Sequence, residues 1–287
     1  MSAFVKSHIT TSRQLVAEAL VRSGHLHGAK VFLEDAVRDA PQDADAAFSL
    51  GAFLLRVAFS STETTASELN AAKIQLLHAA RLDARKAGPF ALLGLWYDNQ
   101  RDFKRALGCF SKALLLDPPN PVAGRGVLRL TPWKSAKAVV DAAIQTTSPV
   151  NGWAWRALGK NKVMVSGEND LGAVALLKAL RCRDIDQPQS EALAPFFAIG
   201  RSAGSDQYQG QEKAETWAEL AFCYRRIGRY TAAIRGYYAA IETAGEHVTG
   251  DLLCACAEGM FVQCSGDGDA FCVEQQLILR LFQLLPL

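Results

Sequence analysis

The stretch Ala87–Asn120, AGPFALLGLWYDNQRDFKRALGCFSKALLLDPPN, decides the fold. Phe90, Leu93, Gly94 and Tyr97 recur at helical spacing and share one face of a first helix. Ala106, Phe110 and Ala113, four and three apart, do the same on a second, and Pro118 stops it just after Asp117. Gly94 and Ala106 carry little or no side chain, so the two helices can cross closely. Phe90, Tyr97 and Phe110 then fill the space around the crossing. A helix pair this small cannot bury its apolar face alone. The stretch therefore predicts neighbours built the same way.

Weaker copies precede it. Thr10–Asp43 places Val16, Ala17 and Leu20 on a first helix and Ala29, Leu33 and Ala36 on a second, with Pro41 as the stop and Arg13 where an aromatic is preferred. The next unit opens at Ala44, with Ala47, Leu50, Gly51 and Leu54 on one helix and Ala72, Leu76 and Ala79 on the other. Between them the Ser/Thr-rich run AFSSTETTASEL predicts a surface-loop insertion near 59–68.

The copies continue downstream. A shortened unit, 121–149, has room for one short helix before Thr131-Pro132 and a second through Ala136, Val140 and Ala143. Gly124 and Gly126 weaken the first of these by about 1 kcal/mol each relative to alanine. Trp155, Leu158 and Gly159 restore the pattern, followed by Gly172, Leu176 and Ala179. Residues 185–213 break the period and predict an irregular insertion or hinge. A second strong copy starts at Ala214, with Trp217, Leu220, Ala221 and Tyr224, a turn at Gly228, then Ala233, Tyr237 and Ala240. From Val248 a further pair begins, and its last helix carries Leu277, Ile278, Leu281 and Leu284. The expected organisation is an N-terminal array over 1–184, the insertion, and C-terminal repeats over 214–287.

Composition narrows the function classes. Of 287 residues 49 % are apolar and 21 % charged, ordinary for a folded chain. A formal charge of +2, from 31 basic and 29 acidic residues, implies no strong global attraction to nucleic acid or anionic membrane. The seven cysteines fall in no metal-ligand or redox spacing and read as thiols of a reducing compartment. The N-terminus lacks the apolar core and cleavage site of a secretory signal, and no run of about 18 apolar residues is available to span a bilayer. Cytoplasm or nucleus is the expected setting. His25-Leu26-His27 has no third ligand at a metal-site spacing, and the glycines form no phosphate loop. No catalytic constellation, metal or cofactor is expected.

The opening unit and the unit from Ala214 resemble tetratricopeptide repeats. The resemblance implies an all-α solenoid, a right-handed superhelix of antiparallel helix pairs whose concave groove holds peptides or extended segments. A narrower likeness follows from Ala72, Lys73, Leu77, Ala79, Ala80, Leu82 and Asp83, then Leu93, Gly94 and Tyr97, then Arg105–Cys109, Lys112, Ala113, Leu116 and Asp117. With Trp153-Ala154-Trp155, these resemble the family of large tetratricopeptide scaffolds of the superkiller complex. That likeness covers about 70 to 250, and members of that family carry many more repeats. It implies a non-catalytic scaffold holding an RNA helicase and WD-repeat subunits that feed messenger RNA into 3′–5′ exosome decay, with RNA engaged only indirectly.

Specificity is expected in the groove. In first helices of this fold the second, fifth, ninth and thirteenth positions look inward, which selects Ala91, Leu95 and Asn99, then Arg156 and Lys160, then Ala218, Phe222 and Arg226. Arg156 and Lys160 are four apart and share a helix face. With Arg226 they suit an acidic peptide or a carboxylate terminus through charge-assisted bonds, which makes a generic peptide adaptor the alternative function. Trp153, two positions from Trp155, lies on another face and either lines the groove or packs on the preceding unit. The lysine, arginine and asparagine set of chaperone-binding members is missing, and no sustained basic-aromatic stripe favours RNA.

Overall fold

A computed structural model of the chain describes residues 3–60, 66–146, 151–182 and 211–245. Among them are twelve α-helices and no strand: α1 (Ala3–Arg22), α2 (Leu26–Asp39), α3 (Ala44–Ser60), α4 (Ala66–Leu82), α5 (Ala87–Asn99), α6 (Phe103–Leu116), α7 (Pro121–Leu130), α8 (Trp133–Gln145), α9 (Gly152–Met164), α10 (Asn169–Arg181), α11 (Gln211–Arg226) and α12 (Tyr230–Ala244). No described helix is long and apolar enough to cross a membrane. By their contacts the described helices belong to two compact units, one up to Ala154 and one from Trp155.

In the first unit the second helix of every pair buries three residues at one spacing. Ala29, Leu33 and Ala36, then Ala72, Leu76 and Ala79, then Ala106, Phe110 and Ala113, then Ala136, Val140 and Ala143 are all 0 % exposed. Two alanines flank one large residue, and in the second and third pairs that residue, Leu76 or Phe110, is seated on the facing helix where a glycine makes room. A Cβ added to Gly51 would come within 2.9 Å of Leu76, and one added to Gly94 within 2.4 Å of the Phe110 ring. The same ring presses on Gly126 of α7 from its other edge, at 2.5 Å. Burying a ring of this size contributes roughly 2–3 kcal/mol. Gly124 and Gly126, which weaken α7 as a lone helix, are therefore the sockets that receive Trp153 and Phe110.

The second unit repeats the device. A Cβ added to Gly159 of α9 would come within 2.7 Å of Leu176 of α10, and Leu176 and Ala179 are fully buried. In the last pair the small residue changes sides. Ala221 of α11 stands where α3, α5 and α9 have Gly51, Gly94 and Gly159, and Gly236 of α12 supplies the clearance, a Cβ there meeting that of Ala221 at 2.9 Å.

Three of the turns share one geometry. The amide after the turn residue donates to a carbonyl five residues back, His25 to Leu20 at 2.8 Å, Asp102 to Tyr97 at 2.9 Å and Arg229 to Tyr224 at 2.8 Å. The residue before each donor has positive φ. It is glycine at 24 and 228, but Arg101, with φ 59°, in the opening unit. Asp102 then caps α6 by accepting from the Arg105 amide at 3.1 Å, and Asn120 caps α7 by accepting from that of Ala123 at 3.1 Å.

Three details depart from the sequence reading. Val16 is 42 % exposed, because the buried face of α1 runs through Ala17, Leu20 and Val21, one helical step away. Arg13, in the place of an aromatic, pairs with Asp39 at 2.5 Å. The Ser/Thr-rich stretch is helix at both ends, since α3 reaches Ser60 and α4 starts at Ala66, while its centre, 61–65, lies outside the described residues. Leu69 in that stretch packs on the core, and its carbonyl accepts from the indole of the buried Trp96 at 2.8 Å. The expectations for residues 185–210 and for the pair after 248 lie outside the described residues.

Candidate functional site

The residues read as groove-lining separate into three groups. Trp153 is 2 % exposed, its ring on Gly124 and its Nε1 donating to the Pro119 carbonyl at 3.1 Å. Of its two alternatives, packing on the preceding unit is the one adopted, so Trp153 is withdrawn from the ligand-facing set. Ala91 is likewise fully buried. A side chain that ends at Cβ is enclosed when helices pack closely, whichever way it points.

Arg156 and Lys160 make the second group. Both lie on α9 and face α11 of the same unit. The Arg156 side chain is only 15 % exposed. Its guanidinium holds Glu219 in a two-pronged bond, Nε to Oε2 at 3.2 Å and Nη2 to Oε1 at 3.1 Å. It also reaches Glu215 at 2.9 Å and Glu212 at 3.4 Å. Lys160 adds an ammonium 3.4 Å from Glu219. Burial works against the charge of Arg156, but Glu219, then Glu215 and Glu212, more than offset it and raise its pKa above the ordinary arginine value.

Sequence reasoning missed the three carboxylates, although they left a signal. Glu212, Glu215 and Glu219 are three and four apart on α11, one stripe that complements the four-residue spacing of Arg156 and Lys160. With the stripe in place, two cations meet three carboxylates. The patch is no longer a basic surface, and a ligand carboxylate would have to displace the protein's own from Arg156. This corrects the expectation that Arg156 and Lys160 stand ready for an acidic peptide. Their geometry is that of a strut between the two first helices of the unit.

Phe222 and Arg226 form the third group, with Arg225. Phe222 is half-buried, and the guanidinium carbons of Arg225 and Arg226 lie 5.2 and 5.7 Å from its ring centroid. Arg226 is exposed. Beside it Cys223 is fully buried, with Sγ donating to the Glu219 carbonyl at 3.1 Å. Burial, then the Glu219 charge, push its pKa up to about 12, which leaves it a protonated, unreactive thiol at neutral pH. Among the described residues no group of three or more His, Cys, Asp or Glu side chains is placed to hold a metal ion.

The repeat-signature residues pack as their spacing implies. Leu93, Gly94, Gly159, Leu220, Ala233, Tyr237 and Ala240 are buried, while Phe90, Tyr97, Trp155, Leu158, Trp217 and Tyr224 are half-buried. Trp155 carries the Lys178 ammonium 4.2 Å above its ring.

No family model matches the chain. Over 265 residues it is 27 % identical to superkiller complex protein 3 of Mus musculus, covering 85 % of this chain and 17 % of that protein. Over 269 residues it is 25 % identical to tetratricopeptide repeat protein 37 of Xenopus laevis, with the same two coverages. The chain thus spans 17 % of the length of these two relatives. Among solved structures, that of the APC/C hetero-tetramer Cut9-Hcn1 superposes with a TM-score of 0.57 at 15 % identity, over 87 % of this chain and 42 % of that one. At that identity the likeness shows the fold, an all-α tetratricopeptide-repeat solenoid. The chain has the tetratricopeptide-repeat fold and resembles superkiller complex protein 3.

Proposed function

We propose that the chain is a non-catalytic protein-interaction scaffold of the superkiller type. In that role its helix pairs hold an RNA helicase and WD-repeat subunits, and support exosome-linked 3′–5′ decay of messenger RNA in the cytoplasm. The observation that carries this reading is the continuity of the likeness to superkiller complex protein 3, which extends over 85 % of the chain. Repeats of one class imitate each other at their packing positions.

The site geometry is in keeping with a scaffold. Cys223 is held protonated, and Arg156 and Lys160 are bonded to carboxylates of their own chain. Capture of an acidic peptide by Arg156, Lys160 and Arg226 together is accordingly not favoured. The test is affinity purification of the tagged chain from its own cells, with the co-purifying proteins identified by mass spectrometry. Helicase and WD-repeat subunits in stoichiometric amounts are expected. Their absence would overturn the reading.

A further inference from the structure

One edge of the second unit has a surface that the strut between α9 and α11 does not use. Val163, at the end of α9, and Ile227, just after α11, belong to the same apolar cluster, which brings the turn after α9 and the turn after α11 to one end of the unit. Two apolar side chains point to solvent at the first turn, Met164 at 66 % and Val165 at 76 % exposure. At the second turn stand the exposed Arg226 and Arg229, with Tyr230 45 % exposed beside them.

At the second turn the charge is one-sided, while the first turn carries Glu168 and the exposed Asp170. From Ala221 through Ile241 the sequence has Arg225, Arg226, Arg229 and Arg235 and no acidic residue. Glu168, at the first turn, is neutralised by Lys162 at 3.0 Å, and Glu219 is bonded to Arg156 and Lys160. Arg229 precedes α12 without capping it through its side chain. Among the described residues neither Arg226 nor Arg229 has a carboxylate at ion-pair distance. A surface that joins exposed aliphatic side chains to guanidinium groups is matched by a segment with the opposite charge and its own apolar anchor.

We propose that this edge, comprising Met164, Val165, Arg226, Arg229 and Tyr230, docks an acidic segment of a partner protein through carboxylate–guanidinium bonds around one apolar side chain. A protein segment is favoured over single-stranded RNA by two features. Base stacking along a strand needs successive open aromatic faces, and with the Phe222 ring already covered by Arg225 and Arg226 this edge offers Tyr230 alone. Met164 and Val165 suit an aliphatic or aromatic side chain and offer nothing to a phosphate. The surface lies at the turns rather than on the groove-facing strut. It is independent of the complex the chain serves, so a purification without helicase would leave it standing.

The test is fluorescence anisotropy with the full chain. The probe is a labelled peptide of aspartate and glutamate around a central Phe-Leu pair, and labelled oligouridine and anionic vesicles serve as competitors. Saturable peptide binding is expected, weakened about 10-fold or more by R226Q/R229Q, which removes two charge-assisted contacts. M164S/V165S should weaken it too, and an all-acidic peptide lacking Phe-Leu should bind less well than the probe. Lys134→Gln, on exposed α8 surface, should leave it unchanged. Circular dichroism establishes that each variant is folded. Peptide binding that survives R226Q/R229Q in folded protein would overturn the proposal. So would binding indifferent to the Phe-Leu pair, or tighter binding of oligouridine or vesicles that displaces the peptide.

Discussion

At the scale of single residues, the positions that matter most have little or no side chain, or the wrong one for their backbone. Arg101 is in the left-handed region where two equivalent turns have Gly24 and Gly228. A side chain there costs roughly 1 kcal/mol, part of which glycine returns as extra freedom of the unfolded chain. Arg101→Gly should therefore raise stability by about 0.5 kcal/mol, read as a higher urea midpoint with unchanged slope. A lower midpoint would mean that the Arg101 side chain holds the turn. Cys223 makes a pH-dependent contribution of definite sign. Its thiol has a pKa of about 12 in the folded chain against an ordinary 9.0. Between those values unfolding releases a proton, so the contribution is complete below pH 9.0 and is lost as pH rises towards 12. Cys223→Ala should show a visibly smaller loss of stability than the parent between neutral pH and about pH 10. Parallel curves would remove the thiol from the account.

At the scale of elements, the helix pairs were legible because they are local. A triplet such as Ala72, Leu76 and Ala79 needs only the crossing helix nearby to be buried, and its spacing announces that helix. Contacts between distant segments were not legible. The burial of Trp153 depends on Gly124, and the partners of Arg156 lie 56 to 63 positions further along the chain. A charge stripe on one helix says nothing about which stripe faces it until packing brings the two together. The strut gives a prediction that separates packing from charge. Arg156→Ala leaves Glu212, Glu215 and Glu219 facing each other with Lys160 as the nearby cation. A loss of about 1–3 kcal/mol is expected, below the figure for a fully buried pair because all four side chains retain some solvent contact. Arg156→Ala with Glu219→Ala should be less damaging than the sum of the two by about 1 kcal/mol or more. Additivity in urea unfolding would show that the bond seen between them carries no coupling.

At the scale of the whole molecule, a repeat architecture implies that stability is a sum of neighbour terms, because each helix pair touches the pairs beside it and no others. Repeat class was legible because the packing triplet recurs. Partner choice was not, because it resides on side chains the packing leaves free to vary, such as Arg226 and Arg229. The neighbour rule can be tested at Phe110. Its ring is held between Gly94 on one edge and Gly126 on the other, at 2.4 and 2.5 Å from the Cβ either would carry. It therefore cannot retreat from an added methyl group. Gly94→Ala should cost about 1–3 kcal/mol. Gly108→Ala, where a Cβ meets nothing within 4 Å, should be neutral or stabilising by up to about 1 kcal/mol. Amide hydrogen exchange then gives the spatial reach of the damage. In Gly94→Ala, protection should fall in α5, α6 and α7, which meet at the Phe110 ring, and stay at its parental level in α11 and α12, whose cores around Leu220 and Tyr237 belong to the other unit. Equal losses in α12 would mean that the chain unfolds as one cooperative body. The helix pairs would then share a stability that no pair of neighbours explains.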